Sequence, residues 1–140
     1  MSLHETTTAP AVHPIVAEQD LLLARHAVRA AAVAAGFDLI GQTKVVTAAS
    51  ELVRNAYIHG GGGEIEFEQL RDDLGRKGLR LTVRDAGPGI PDVGAALTDG
   101  FSTGAGLGHG LGGTRRLMDD FHIDSAPGRG TVVTVTRWAG

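Results

Sequence analysis

Glu51-Leu52-Val53-Arg54-Asn55-Ala56-Tyr57-Ile58-His59-Gly60 is the stretch whose reading decides the fold. At about 3.6 residues per turn it predicts a helix in which Val45, Ala49, Leu52 and Ala56 form one apolar stripe. Glu51, Asn55 and His59 follow one another at i, i+4 and i+8 on a neighbouring face. A carboxylate, an amide and an imidazole in a row can hold a hydrated cation and take a proton, once something brings a phosphate to them. Two later stretches are able to do so: Asp85-Ala86-Gly87-Pro88-Gly89-Ile90, and the run from Gly104 to Gly113 in which nearly every second residue is glycine.

Outward from that helix, the chain alternates between helical and strand-like patterns. Met1 to Pro10 has little to bury and reads as a flexible tail ahead of one domain over 11–140. Val12 to Val16 predicts a short edge strand, with Pro14 removing one ladder donor. Gln19 to Ala35 predicts a first helix with Asp20 as its N-cap and Gly36 as its stop. Asp38 then caps the second helix, which ends at Gly60 to Gly63.

Glu64 to Glu68 and Leu79 to Arg84 alternate with period two around a charged turn from Arg71 to Gly78, predicting a hairpin whose second strand delivers Asp85. Pro88 to Thr103 lacks a periodic element and is a candidate lid. A third helix is expected from about Gly110 to Phe121, then strands at His122 to Ser125 and Thr131 to Trp138. The fold class is therefore α/β, a two-layer sandwich with three helices on one face of a mixed, mostly antiparallel sheet.

Composition narrows the function. The 140 residues suit one domain, and no apolar run approaches the roughly 20 residues of a membrane-spanning helix. With no cysteine, disulfides and thiolate zinc sites are excluded; with no apolar leader at Met1 to Pro10, a cytoplasmic protein is expected. A formal net charge of -3 offers no basic stripe for nucleic acid. A polyanionic ligand must then be held by a metal ion and backbone amides more than by lysine and arginine.

Each candidate site residue also has an ordinary reading. An aspartate before Gly-Pro-Gly commonly accepts local backbone N–H groups in a turn. The glycines at 104, 106, 108, 110, 112 and 113 fit a flexible loop as well as a phosphate cradle. No Gly-Lys-Ser/Thr occurs, so there is no Walker-type loop, and Gly108-x-Gly110-x-x-Gly113 follows a loop where a dinucleotide fingerprint requires a strand. What remains is a glycine-rich loop feeding a helix N-terminus, where free N–H groups favour anionic oxygens. Asn55 and Glu51 fit a solvated helix face, Thr131 an ordinary strand, and His109 and His59 a surface or structural role.

Taken together, these pieces resemble the N, G1 and G2 boxes of the GHKL ATP-binding superfamily (Bergerat fold). The resemblance rests on Ser50 to Asn55, Asp85 to Asp92, Asp99 to Thr103, Gly106 to Phe121 and Gly128 to Thr131. Within it the likeness is greatest to the RsbT-type switch kinases of bacterial stressosomes.

The resemblance implies ATP and Mg²⁺ as cofactors. Glu51 would be the catalytic base, Asn55 the metal ligand, and Asp85 the acceptor for the adenine amine. Gly87, Gly89 and Ile90 would line the base, with Thr131 helping to hold it. Thr103, Gly104, Gly106, Leu107, Gly108, His109, Gly110 and Leu111 would wrap the phosphates, and Ser102 would approach them. The segment lacks the lysine or arginine that some relatives place there. As partners the resemblance implies a STAS-domain protein substrate and a PP2C-type phosphatase activated by binding; whether the chain forms a homodimer stays open, and charge and hydropathy point to no nucleic acid or membrane. A true anti-sigma factor that sequesters a sigma subunit and a non-catalytic nucleotide-binding module are the competing functions.

Overall fold

The computed structural model describes the backbone of residues 4–6 and all of residues 10–90 and 111–140. Its elements run β1 (His4–Thr6), β2 (Ala11–Ile15), α1 (Gln19–Ala34), α2 (Leu39–Ile58), β3 (Gly63–Asp72), β4 (Lys77–Asp85), α3 (Leu111–Leu117), β5 (Asp120–Ser125) and β6 (Thr131–Trp138). The path through the sheet is β1-β3-β4-β6-β5, with β2 pairing β3 beside β1.

Every pairing among the described strands is antiparallel, which corrects the expectation of a mixed sheet. The reason lies in the connections. One helix between neighbouring strands returns the chain parallel, whereas the two helices between β2 and β3 reverse it once more. His4–Thr6, inside the stretch expected to be a tail, pairs with Leu70 to Asp72.

Helix α2 lies centrally on the sheet because its sequence is apolar along one stripe: Val45, Ala49, Leu52 and Ala56 are all buried. Ala24, Val28 and Ala32 of α1 pack beside it, and Ile65, Phe67, Leu81, Val83, Val133 and Val135 supply the sheet side of the core. Asp38 caps α2 as expected, its Oδ1 accepting the Gly41 N–H at 2.7 Å. Gly36, at φ +86°, ends α1.

Other local expectations shift by a few residues. The Asp20 side chain does not cap from outside α1. It sits in the first turn and reaches back to the N–H groups of Val16 and Ala17 at 2.9 and 2.8 Å. Those two donors hold its carboxyl below the ordinary aspartate value. The β3–β4 turn is shorter than Arg71 to Gly78, because Asp72 Oδ1 collects the N–H groups of Leu74 and Arg76 and Gly75 takes φ +80°.

Helix α3 stops at Leu117, not Phe121, with Arg137 Nη1 donating to the Leu117 carbonyl at 2.9 Å. Phe121 instead begins the alternation of β5 and pairs with Val135.

Replacing Asp38 by alanine leaves the Gly41 N–H without its cap, and should lower unfolding free energy by about 1 kcal/mol. Urea unfolding should show an earlier midpoint at an unchanged slope.

Candidate active site

One ladder row across the end of the sheet builds the site. Gly63 pairs with Asp85, Asp85 with Thr131, and Thr131 with Ser125. Directly opposed residues present their side chains to the same face, so Asp85, Thr131 and Ser125 stand side by side under the C-terminal end of α2. The next row on that face, Ile65, Val83, Val133 and Ile123, is apolar.

The result is a cavity of about 160 Å³. Its apolar walls come from Leu52 and Ala56 on α2, Val83 and Val133 on the sheet, and Leu111 on α3. Asn55, His59, Asp85 and Thr131 supply polar groups at its margin, and Gly60 and Pro88 to Ile90 complete it.

Two glycines make the Asp85 position possible. A Cβ on Gly60 would overlap the Asp85 carboxyl, and a Cβ on Gly87 would stand 2.5 Å from Gly60 Cα. The helix end therefore rests directly on the carboxylate. Asp85 Oδ1 accepts the Gly87 N–H at 2.9 Å, the local turn bond expected of an aspartate before Gly-Pro-Gly. Burial pushes its carboxyl above the ordinary aspartate value, partly offset by the N–H groups of Gly87 and Thr131. A carboxylate has about four acceptor positions, so it keeps acceptor capacity toward the cavity.

The loop after β4 is pinned to the β5–β6 turn. Gly128 N–H donates to the Pro88 carbonyl at 2.7 Å, and Ile90 N–H to Ser125 Oγ at 2.8 Å. Gly89 takes φ +82° where a Cβ would overlap the Ala126 carbonyl.

Asn55 Nδ2 is buried and has no hydrogen-bond partner among the described residues. An unpaired buried amide is costly, and at a cavity wall it marks a place for a polar ligand atom. Half a turn about the last side-chain bond would offer the oxygen in its stead.

Six of the expected residues thus meet around one cavity: Asn55, Asp85, Gly89, Ile90, Leu111 and Thr131. Gly87 lies behind it against Gly60. Glu51 sits one turn along α2 from Asn55, half-buried and outside the lining. Thr103, Gly104, Gly106, Leu107, Gly108, His109 and Gly110, with Ser102 and the candidate lid beyond Ile90, lie outside the described residues. His59, read as a surface or structural residue, in fact lines the cavity, because i+4 from Asn55 on a helix aimed at the sheet end faces the same space. Gly60 and Ser125 were missed. The ladder register Asp85–Thr131–Ser125 finds the serine once the strands are aligned.

Residues 41–138 match the family described as histidine kinase-, DNA gyrase B-, and HSP90-like ATPase. The chain belongs to this family. It is 45% identical over 124 residues to the serine/threonine-protein kinase RsbT of Bacillus subtilis, covering 89% of this chain and 92% of that one. It is 39% identical over 103 residues to an anti-sigma F factor of Bacillus licheniformis, covering 68% of each. Among solved structures, the crystal structure of the RsbU and RsbW domains of a Mycobacterium tuberculosis protein superposes with a TM-score of 0.60 at 22% identity, covering 93% of this chain and 32% of that one. A blue-light activated histidine kinase domain of Erythrobacter litoralis gives 0.52 at 19% identity. These two likenesses are of fold. Family membership implies ATP use, and among the described residues no helix is long and apolar enough to cross a membrane.

The raised Asp85 carboxyl predicts a stability effect with a definite sign. Its folded value lies above the unfolded one, so ionisation costs stability; the cost is absent below the ordinary aspartate range and complete above the raised value. Asp85→Asn should therefore melt higher than the parent at pH 7 without ligand, and the difference should shrink as pH falls through the carboxylate range.

Proposed function

We propose that this chain is an ATP-dependent protein-serine/threonine kinase that phosphorylates a STAS-domain regulatory protein in a partner-switching pathway. Once released, it would activate a PP2C-type phosphatase. The observation that carries the nucleotide reading is the cavity itself: an apolar slot with an aspartate at the sheet end and an unpaired amide on α2. Kinase activity is supported by the 45% identity to a protein named a serine/threonine kinase, over nearly the whole of both chains.

In this reading residues 11–140 act as one domain in the cytoplasm, alone or as a homodimer. Asp85 accepts the exocyclic amine of adenine, with Thr131 beside it and Gly87, Gly89 and Ile90 framing the base. A 6-oxo purine would bring an oxygen against the carboxylate with no proton between them. Asn55 would hold Mg²⁺ through its amide oxygen, and the ion when bound would supply charge neutralisation for phosphoryl transfer. Thr103, the glycine run from Gly104 to Gly110 with Leu107 and His109 within it, and Leu111 would be the phosphate contacts, as the family pattern implies.

Glu51 accepts the proton of a partner serine or threonine hydroxyl. That oxygen bonds to the γ-phosphorus as the bond to the β,γ-bridging oxygen breaks and ADP leaves. The position of Glu51 outside the cavity, one turn before Asn55 on the same helix, suits a group that meets the partner's hydroxyl and leaves the base alone.

A second reading, an anti-sigma factor that holds a sigma subunit, is supported by the 39% identity to an anti-sigma F factor. Retention of a sigma factor in a pull-down, unaffected by adding a phosphatase-type partner, would favour it.

Two variants test the kinase reading. Asp85→Asn should weaken Mg·ATP binding by roughly 10- to 100-fold in calorimetric titration, the value of a hydrogen bond to a charged group. Glu51→Ala should bind ATP as the parent does, yet lose roughly 10²- to 10⁴-fold in transfer of labelled γ-phosphate to a STAS protein. Equal transfer by Glu51→Gln and the parent would remove Glu51 from the base role, and no transfer by the parent to any STAS protein would leave a nucleotide-binding module without this catalysis.

A further inference from the structure

Three segments of chain meet at the Ser125 hydroxyl. Ile90 N lies 2.8 Å from Ser125 Oγ, the Gly130 carbonyl oxygen 3.0 Å and Thr131 Oγ1 2.8 Å. A serine hydroxyl carries one proton and two lone pairs. The Ile90 amide can only donate, so it fills one lone pair. The Gly130 carbonyl can only accept, so it takes the serine proton. Thr131 must then give its own proton to the second lone pair; any other assignment leaves two oxygens in contact with no hydrogen between them. Thr131 is a lining residue of the cavity, and its hydroxyl, with the proton committed to Ser125, has nothing left to donate there and presents lone pairs only.

We propose that Ser125 is a positioning residue that sets base specificity, drawing the Thr131 proton away from the cavity so that the sheet end offers only acceptors, at Asp85 and Thr131. The inference deepens the ATP reading and rests on it. A 6-amino purine meets both acceptors, the carboxylate through its amine and the threonine through a water that donates both its protons. A 6-oxo purine turned the same way sets its oxygen against the Asp85 carboxylate, and neither side chain at the sheet end offers it a proton. Without Ser125, the Thr131 hydroxyl is free to turn and donate to a 6-oxo oxygen.

The test is the ratio of ITP to ATP dissociation constants with Mg²⁺, measured by calorimetry on the whole chain. Parent protein should prefer ATP. Ser125→Ala should lower that preference roughly tenfold, about one hydrogen bond's worth. Ser125→Cys fills the same space with a weak donor and acceptor, so it should show the same relaxation and serves if the alanine variant does not fold. Ser125→Thr, which keeps the hydroxyl, should retain the parent ratio.

A purely structural serine would weaken both nucleotides together and leave the ratio unchanged in folded Ser125→Ala or Ser125→Cys; that result overturns the proposal. Failure of the parent itself to bind ATP would overturn the nucleotide reading first, and this inference with it.

Discussion

The half-buried carboxylate of Asp85, resting under a helix end that carries no side chain, is the contact on which the rest of the site depends. A charge taken partly out of water is tolerated only where donors or a ligand compensate it. Here Gly87 and Thr131 supply two N–H groups, and the price is a set of close backbone approaches. Gly60 and Gly87 must both be glycine for α2 to come down on the carboxylate. Gly130, at φ +76°, must be glycine for β6 to start beside the Asp85 carbonyl. The glycines around the described part of the site are thus explained by crowding around one charged group.

That crowding also explains which parts of the fold could be read from the chain. The α2 stripe was legible because Val45, Ala49, Leu52 and Ala56 repeat at helical spacing, and all four are buried. Asp38 and Gly36 were legible because capping and left-handed termination are local chemistry. The all-antiparallel pairing was not. Strand direction depends on how many elements intervene and where they pack, and no single segment encodes that. The end of α3 was misplaced for a related reason. Leu117, Met118 and Phe121 share helical spacing, but Phe121 and Ile123 also share strand spacing, and the register with Val135 and Val133 decides between them.

The site divides the same way. Asn55, Asp85, Gly89, Ile90, Leu111 and Thr131, found through motif and spacing, converge on one cavity. Ser125 escaped notice because a serine at a strand end has no distinguishing local pattern. Its importance comes from ladder register, which sets it beside Thr131, and from a contact with Ile90 that spans 35 residues of chain. The place of His59 at the cavity was not legible, because its position on the helix was clear while the direction of the helix axis was not. Long-range geometry is what the sequence withholds, and the sheet row is where that geometry becomes simple.

The same helix carries both structure and site, and this has a thermodynamic consequence. Along α2 the stripe begins at Val45 in the closed core, yet at Leu52 and Ala56 it becomes the wall of an open slot, faced by Val83 and Val133 from the sheet. The slot is in effect a piece of core left unfilled, and its lining forgoes the packing contacts that a filled interior would give. An aromatic base of matching shape would supply those contacts, while its polar edge meets the carboxylate that burial has made unfavourable. Apolar completion and charge compensation then favour the same occupant. A ligand bound only by the folded chain stabilises it in proportion to the logarithm of its saturation, so this end of the sheet is where occupancy and stability are most directly joined.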